Sequence, residues 1–134
     1  MLAQARRLNP TIRFEVGDMQ ALALADAGLA GITAFYSLIH ISREKMVAVL
    51  QELKRVLQPN GLLFMAFHIG DETQHLDEWW GHTVEVDFHD FQPAEMERYL
   101  SLAGFALEET IVRLPYPDVE HPSQRAYLFA RKPS

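Results

Sequence analysis

The sequence predicts an open α/β fold, a largely parallel, doubly wound sheet that ends in an antiparallel hairpin at one edge. Three observations carry this expectation. Segments with a period of two or wholly apolar runs alternate with segments of helical spacing along most of the chain. Gly, Pro and Asn mark the junctions, and the last two strand candidates follow one another with no helix between them. Alternating strands and helices favour parallel pairing, and two strands joined without a helix favour a hairpin.

The elements follow in order. Residues 1–8 (MLAQARRL) are good helix formers that halt at Asn9-Pro10, as expected before a proline. Thr11 to Val16 alternates Ile12, Phe14 and Val16 with polar neighbours, which predicts a strand closed by Gly17-Asp18. Met19 to Ala30 reads as a loop or short helix. Gly31 to Tyr36 is nearly all apolar and predicts a second strand, buried on both faces. Ser42 is placed to cap a helix in which Met46, Val49, Leu50, Leu53, Val56 and Leu57 recur at helical spacing. Lys54 and Arg55 favour its C-terminal dipole, and Pro59-Asn60-Gly61 stops it. Leu62 to Phe67 predicts a central parallel strand. Pro93 opens a helix with Met96, Tyr99, Leu100 and Ala103 on one face and Gly104 past its end. Phe105 to Leu114 and Arg125 to Ala130 are the closing strands.

Composition bounds the function. The 134 residues are 49% apolar and 22% charged, enough for one small domain with a core, here read as residues 1–134 with 71–92 as a lid-like insertion. A net charge of -6 offers no cationic footprint for nucleic acid or an anionic membrane, so neither is expected as a partner. No cysteine is present, which removes disulfides and thiolate metal sites. The longest dense apolar run, Gly61 to Phe67, is too short to cross a bilayer and the N-terminus has no signal-peptide core, so a cytoplasmic location is expected.

Several segments carry a family resemblance. MLAQAR, FEVGDMQAL (14–22), ITAFYSLIHI (32–41), LKRVLQPNGLLFMAF (53–67), AGF (103–105) and RAYLFARKP (125–133) occur in order and at a spacing that resembles the class I S-adenosylmethionine-dependent methyltransferases of the small-molecule type. The resemblance implies a partial Rossmann-like methyltransferase sheet whose first two strands are missing, with its hairpin at the C-terminus. The family's first strand, its GxGxG-like turn and the acidic end of its second strand would precede Met1. The chain alone is therefore expected to bind S-adenosylmethionine weakly or not at all, and to transfer methyl groups to a small molecule in full only if that half is supplied. The alternative is a non-catalytic remnant that serves as a binding module.

The resemblance also assigns site residues. Asp18 and Met19 would address the adenine; a Gly-Asp turn bonding its own amides is the competing reading. Tyr36 and Ser37 would lie nearest the cofactor's reactive end. His40, in the same loop, is the first candidate for a catalytic base because imidazole titrates near neutrality. His68, Trp79 and Trp80 are assigned to the methyl acceptor, His68 on the sheet rim and the tryptophans in the insertion. A metal is not expected. His68, His75, His82 and His89 recur every seven residues amid nine acidic residues and no Lys or Arg between Asp71 and Glu97, but a solvated acidic surface explains that charge. Arg113 or Arg125 could pair with Glu120. Finally, the missing strands would leave an exposed sheet edge, to be closed by pairing Thr11–Val16 with the next strand or by a homodimer.

Overall fold

The computed structural model describes all 134 residues. The chain opens with a short helix, α1 (Leu2–Leu8), which buries none of its residues. The later elements are β1 (Leu29–Phe35), a single 3-10 turn at Leu38–His40, α2 (Arg43–Val56), β2 (Leu57–His68), β3 (Thr73–Trp79), β4 (His82–His89), α3 (Pro93–Leu102), β5 (Ala106–Arg113) and β6 (Arg125–Arg131).

Four strands form the main sheet in the order β1-β2-β6-β5. β1 and β2 are parallel, in register from Gly31 opposite Leu62 to Phe35 opposite Ala66. β6 runs antiparallel to both β2 and β5. The expected combination of a parallel pair and a closing antiparallel hairpin is therefore present.

Side-chain alternation along β2 decides where the core lies. Leu63, Met65 and Phe67 are fully buried on one face, together with Ala126, Leu128 and Ala130 of β6. α2 covers that face with Met46, Val49, Leu50 and Leu53, and α3 covers it with Met96, Tyr99 and Leu100. Each such large aliphatic side chain contributes about 1.5–3 kcal/mol when withdrawn from water. The opposite face carries an aromatic row instead. Phe35, Phe64 and Phe129 follow one another across three strands with centroids 5.0 and 4.5 Å apart, and Tyr127 packs 5.9 Å from Phe64. No helix lies over this row, and Phe35 is exposed.

Two expectations are corrected. Thr11–Val16 is not a strand. It pairs with no other strand, and Ile12 and Val16 are exposed, Val16 at 86%. Alternation makes a segment compatible with a sheet, but a ladder also needs a neighbour's backbone and a face to cover. The pairing of this segment with β1 is accordingly absent, and β1 is an edge strand. The second correction concerns β1 itself, which begins at Leu29 and ends at Phe35 because Tyr36 turns into the left-handed region at φ 49°. Its burial is also one-sided, with Ala34 alone buried, since the aromatic face is open. Within the insertion expected at 71–92, residues 73–89 form a two-stranded hairpin, β3 with β4.

The end signals fare better. Ser42 takes the N-cap position of α2 with extended backbone, though its hydroxyl makes no capping bond. Pro93 opens α3, and Gly104 follows its end at φ 93°. Asn60 adopts φ 67° at the start of the paired part of β2 and bonds through its N–H to the Lys132 carbonyl, 2.9 Å. No helix is long and apolar enough to cross a membrane.

Candidate functional site

In an open α/β sheet the carboxyl ends of parallel strands form the rim where ligands bind. Here Tyr36 directly follows the end of β1 and His68 ends β2, and their rings stack with centroids 4.9 Å apart. Tyr36 stays tied to β2 through its N–H to the Ala66 carbonyl, 3.0 Å.

Above His68 lies a cavity of about 260 Å³. Ile39 from the 3-10 turn, Gln74, Leu76 and Trp79 from β3, and Phe88 and His89 from β4 form its walls, with Asp90 and His121 closing it. The hairpin is held over the rim at several points. Arg43 of α2 donates to the Asp90 carbonyl, pairs with Glu95 at 3.1 Å and lies 4.7 Å over the Phe91 ring. The Phe91 N–H donates to the His68 carbonyl, 3.1 Å, and His40 donates from Nδ1 to the Asp87 carbonyl, 2.9 Å.

The polar groups of the cavity have distinct electrostatics. Burial, then the positive charge of Arg125, pushes the His68 imidazole below its usual value, so it is neutral at neutral pH. Its Nδ1 is hydrogen-bonded to Ser123 Oγ at 2.7 Å, which leaves the other ring nitrogen for a ligand. Burial also pushes the Asp90 carboxyl up, helped by nearby Glu72. Asp90 fills the space beside Gly70, where a Cβ would come within 2.8 Å of the carboxylate. His89 is buried, with Nδ1 at 2.9 Å from Thr73 Oγ1.

Behind His68 a charged network fixes the rim. Glu120 receives both Arg113, at 2.8 and 2.9 Å, and Arg125, at 2.9 Å. Those bonds, Arg113 first and the Tyr116 N–H next, hold the Glu120 carboxyl down at about 2. Arg125 is 4% exposed, pairs in register with His68, and donates to the Tyr36 hydroxyl at 3.3 Å and the His121 carbonyl at 2.9 Å. Both pairings expected for Glu120 thus occur together.

The residues singled out in the sequence fall in three places. His68 and Trp79 line the cavity, and Tyr36 supports it by stacking on His68. Ser37 starts the 3-10 turn without a side-chain bond. His40 is exposed, edge-on to Phe88 at 5.0 Å, and is not part of the cavity wall. Asp18 is exposed and accepts the Gln20 N–H at 2.8 Å, the local Gly-Asp turn, while Met19 packs against the core. Trp80 lies beyond the cavity at the hairpin tip. The four evenly spaced histidines do not share one site: His68 and His89 line the cavity, whereas His82 lies in the groove at the hairpin tip. His75 instead bridges Asp87 and Asp77 at 2.6 and 2.7 Å, which raises its pKa, and no group of three or more His, Asp or Glu side chains is placed to hold a metal. Asp90, His89 and His121 were not singled out as site residues; Asp90 and His89 sit in an acidic stretch that looks like solvated surface, and His121 is brought in only by the β5-β6 connection.

Comparisons with known proteins bear on the fold. Residues 1–61 match a family described as "Methyltransferase domain". Among solved structures, a SAM-dependent methyltransferase from Methanosarcina mazei superposes with a TM-score of 0.75 at 15% identity, covering 90% of this chain and 66% of that one. The 1,6-didemethyltoxoflavin-N1-methyltransferase of Burkholderia thailandensis, solved with 1,6-didemethyltoxoflavin and S-adenosylhomocysteine, gives 0.73 at 18% identity, covering 99% and 56%. An S-adenosylmethionine-dependent methyltransferase from Mesorhizobium loti gives 0.71 at 16%, covering 98% and 76%. The chain therefore spans between just over half and three quarters of the length of these relatives, and at such identities the likeness is one of fold. No curated protein matches in sequence.

Proposed function

We propose that the chain is a class I methyltransferase, supported by the family match over residues 1–61 and by likeness of fold over nearly all of its length, and that it serves S-adenosylmethionine-dependent methyl transfer to a small molecule. The observation that carries this reading is the cavity at the carboxyl rim of β1 and β2, with a neutral imidazole, His68, in its wall. Its volume, about 260 Å³, suits a small acceptor rather than a nucleic-acid or protein surface.

Methyl transfer from a sulfonium is an in-line displacement, so the protein's work is to align acceptor and methyl group and to keep water out. In this reading the hairpin β3-β4 covers the acceptor. Tyr36 and Ser37 lie toward the cofactor's reactive end, and His68 takes the proton of an O–H or N–H acceptor. His68 replaces His40 as the preferred base, because His40 faces solvent outside the cavity wall. Asp18 and Met19 remain the proposed adenine side. S-adenosylmethionine, when bound, supplies the methyl group. The sequence contains no glycine-rich turn to wrap the methionine end, so affinity of this chain by itself is weak.

The second reading is a binding module without turnover. Titration calorimetry with S-adenosylmethionine bears on both. The expected result is affinity weaker than micromolar, removed by Asp18→Ala. Micromolar binding that survives Asp18→Ala overturns the assignment of the adenine side.

A further inference from the structure

We propose that the acceptor is elongated and amphipathic: a small polar reacting head in the cavity beside His68, and an uncharged apolar arm laid along Trp79, Trp80 and Val84 of the hairpin. The proposal rests on the reading of the cavity as the acceptor site and adds the class of molecule it takes.

Three observations point to it. First, a second, open groove of about 420 Å³ runs along the hairpin tip, lined by Trp79, Trp80, His82 and Val84. Trp79 forms part of both walls, so groove and cavity adjoin at its indole. The cavity brings His68, Asp90 and His121 to a ligand, whereas the groove offers apolar surface with His82 as its one polar residue.

Second, Trp80 is held open at a cost. Trp79 and His82 flank a two-residue turn in which Trp80 has φ 50° and Gly81 φ 77°. Such a turn favours Asn-Gly, and a bulky residue with positive φ is strained. The strained indole is 90% exposed and gives nothing to the core, whereas an apolar arm lying on it would remove its surface from water. Third, no Lys or Arg occurs between Asp71 and Glu97, so nothing on the hairpin recognises an anionic chain end or an anionic lipid surface. The groove itself has no carboxylate in its lining to pair with a cation, so the arm that fits it is uncharged.

The chain holds two tryptophans, Trp79 and Trp80, so its indole emission reports on the hairpin alone. The experiment titrates the full chain, without cofactor, with phenol and 4-alkylphenols of increasing chain length. The expected result is saturable binding that tightens about two- to fourfold per added methylene. Trp80→Asn, which the turn favours and which leaves Trp79 as reporter, is expected to abolish that length dependence while phenol itself still binds. His68→Gln is expected to weaken every member by a similar factor and keep the slope. Phenol binding with no length dependence overturns the apolar arm and leaves the acceptor cavity standing. Binding of neither phenol nor any alkylphenol overturns both. Self-association that Trp80→Asn removes, seen by light scattering without length-dependent binding, assigns the groove to a second copy and overturns the proposal. No outcome depends on turnover, so a failure of methyl transfer does not decide it.

Discussion

Tyr36 and His68 stack with ring centroids 4.9 Å apart and planes at 27°, locking together the carboxyl ends of the two parallel strands. The stack shields one side of an imidazole whose pKa burial has lowered. NMR titration of the histidine rings should therefore place His68 below its ordinary 6.5, and Tyr36→Ala should bring it back toward that value. The linkage has a definite sign. As pH falls the unfolded chain takes the proton first, so the contribution of neutral His68 to stability is full above 6.5 and is lost as pH falls through its lower folded value. Urea unfolding across that window, compared with His68→Gln, measures it.

Glu120 sets a second, more acidic window. Its folded pKa of about 2 lies below the ordinary 4.5, so its stabilisation is present above 4.5 and is lost as pH falls toward 2. Glu52, held at about 2 by Arg55 and the Leu22 N–H, titrates in the same window. Glu120→Gln should flatten the loss of stability between these pH values in part, and Glu120→Gln with Glu52→Gln more fully. The buried partner gives a larger effect at neutral pH. Arg125→Ala should cost about 3 kcal/mol, because it strips the Tyr36 hydroxyl, the His121 carbonyl and Glu120 of a shared donor. Urea unfolding at pH 7 measures it.

Gly104 should resist replacement. It ends α3 at φ 93°, and a Cβ there would collide with the Lys54 ammonium. The lysine can swing away, so the backbone conformation dominates, and Gly104→Ala should cost about 1 kcal/mol. Lys54→Ala in the same background should recover little of the loss. Thermal unfolding of the two variants checks this.

β1 presents an unpaired edge, with Phe35 exposed beside it on the aromatic face. Unpaired strand edges next to apolar surface favour association, and one self-complementary patch closes a symmetric pair. Size-exclusion chromatography with light scattering is expected to find a homodimer, and Phe35→Lys is expected to shift it to monomer. A monomer over a wide concentration range contradicts this.

How much of this was legible in the sequence depends on how local each cause is. The stripe from Met46 to Val56 and the apolar run from Leu62 to Phe67 specify α2 and the paired part of β2, because core and period agree there. Thr11–Val16 shows the limit of the same signal, since its alternation is intact but its pairing partner is not there. The hairpin β3-β4 was hidden because its strands are acidic and mostly solvated, and because Trp80-Gly81 is not an ordinary turn pair. His68 and Trp79, which the resemblance assigns to the acceptor, both line the cavity. His89, Asp90 and His121 were not legible, because only the tertiary fold brings them to one cavity.

The proposed methyl transfer to a small molecule can be followed by the destination of a labelled methyl group. The chain would be incubated with S-adenosylmethionine carrying a tritiated methyl group, with phenols and N-heterocycles offered alongside RNA, DNA and protein. The account predicts slow labelling of an organic-extractable small molecule that His68→Gln reduces at least tenfold, in keeping with loss of a positioned base. Label confined to nucleic acid or protein, or small-molecule labelling indifferent to His68→Gln, would contradict it.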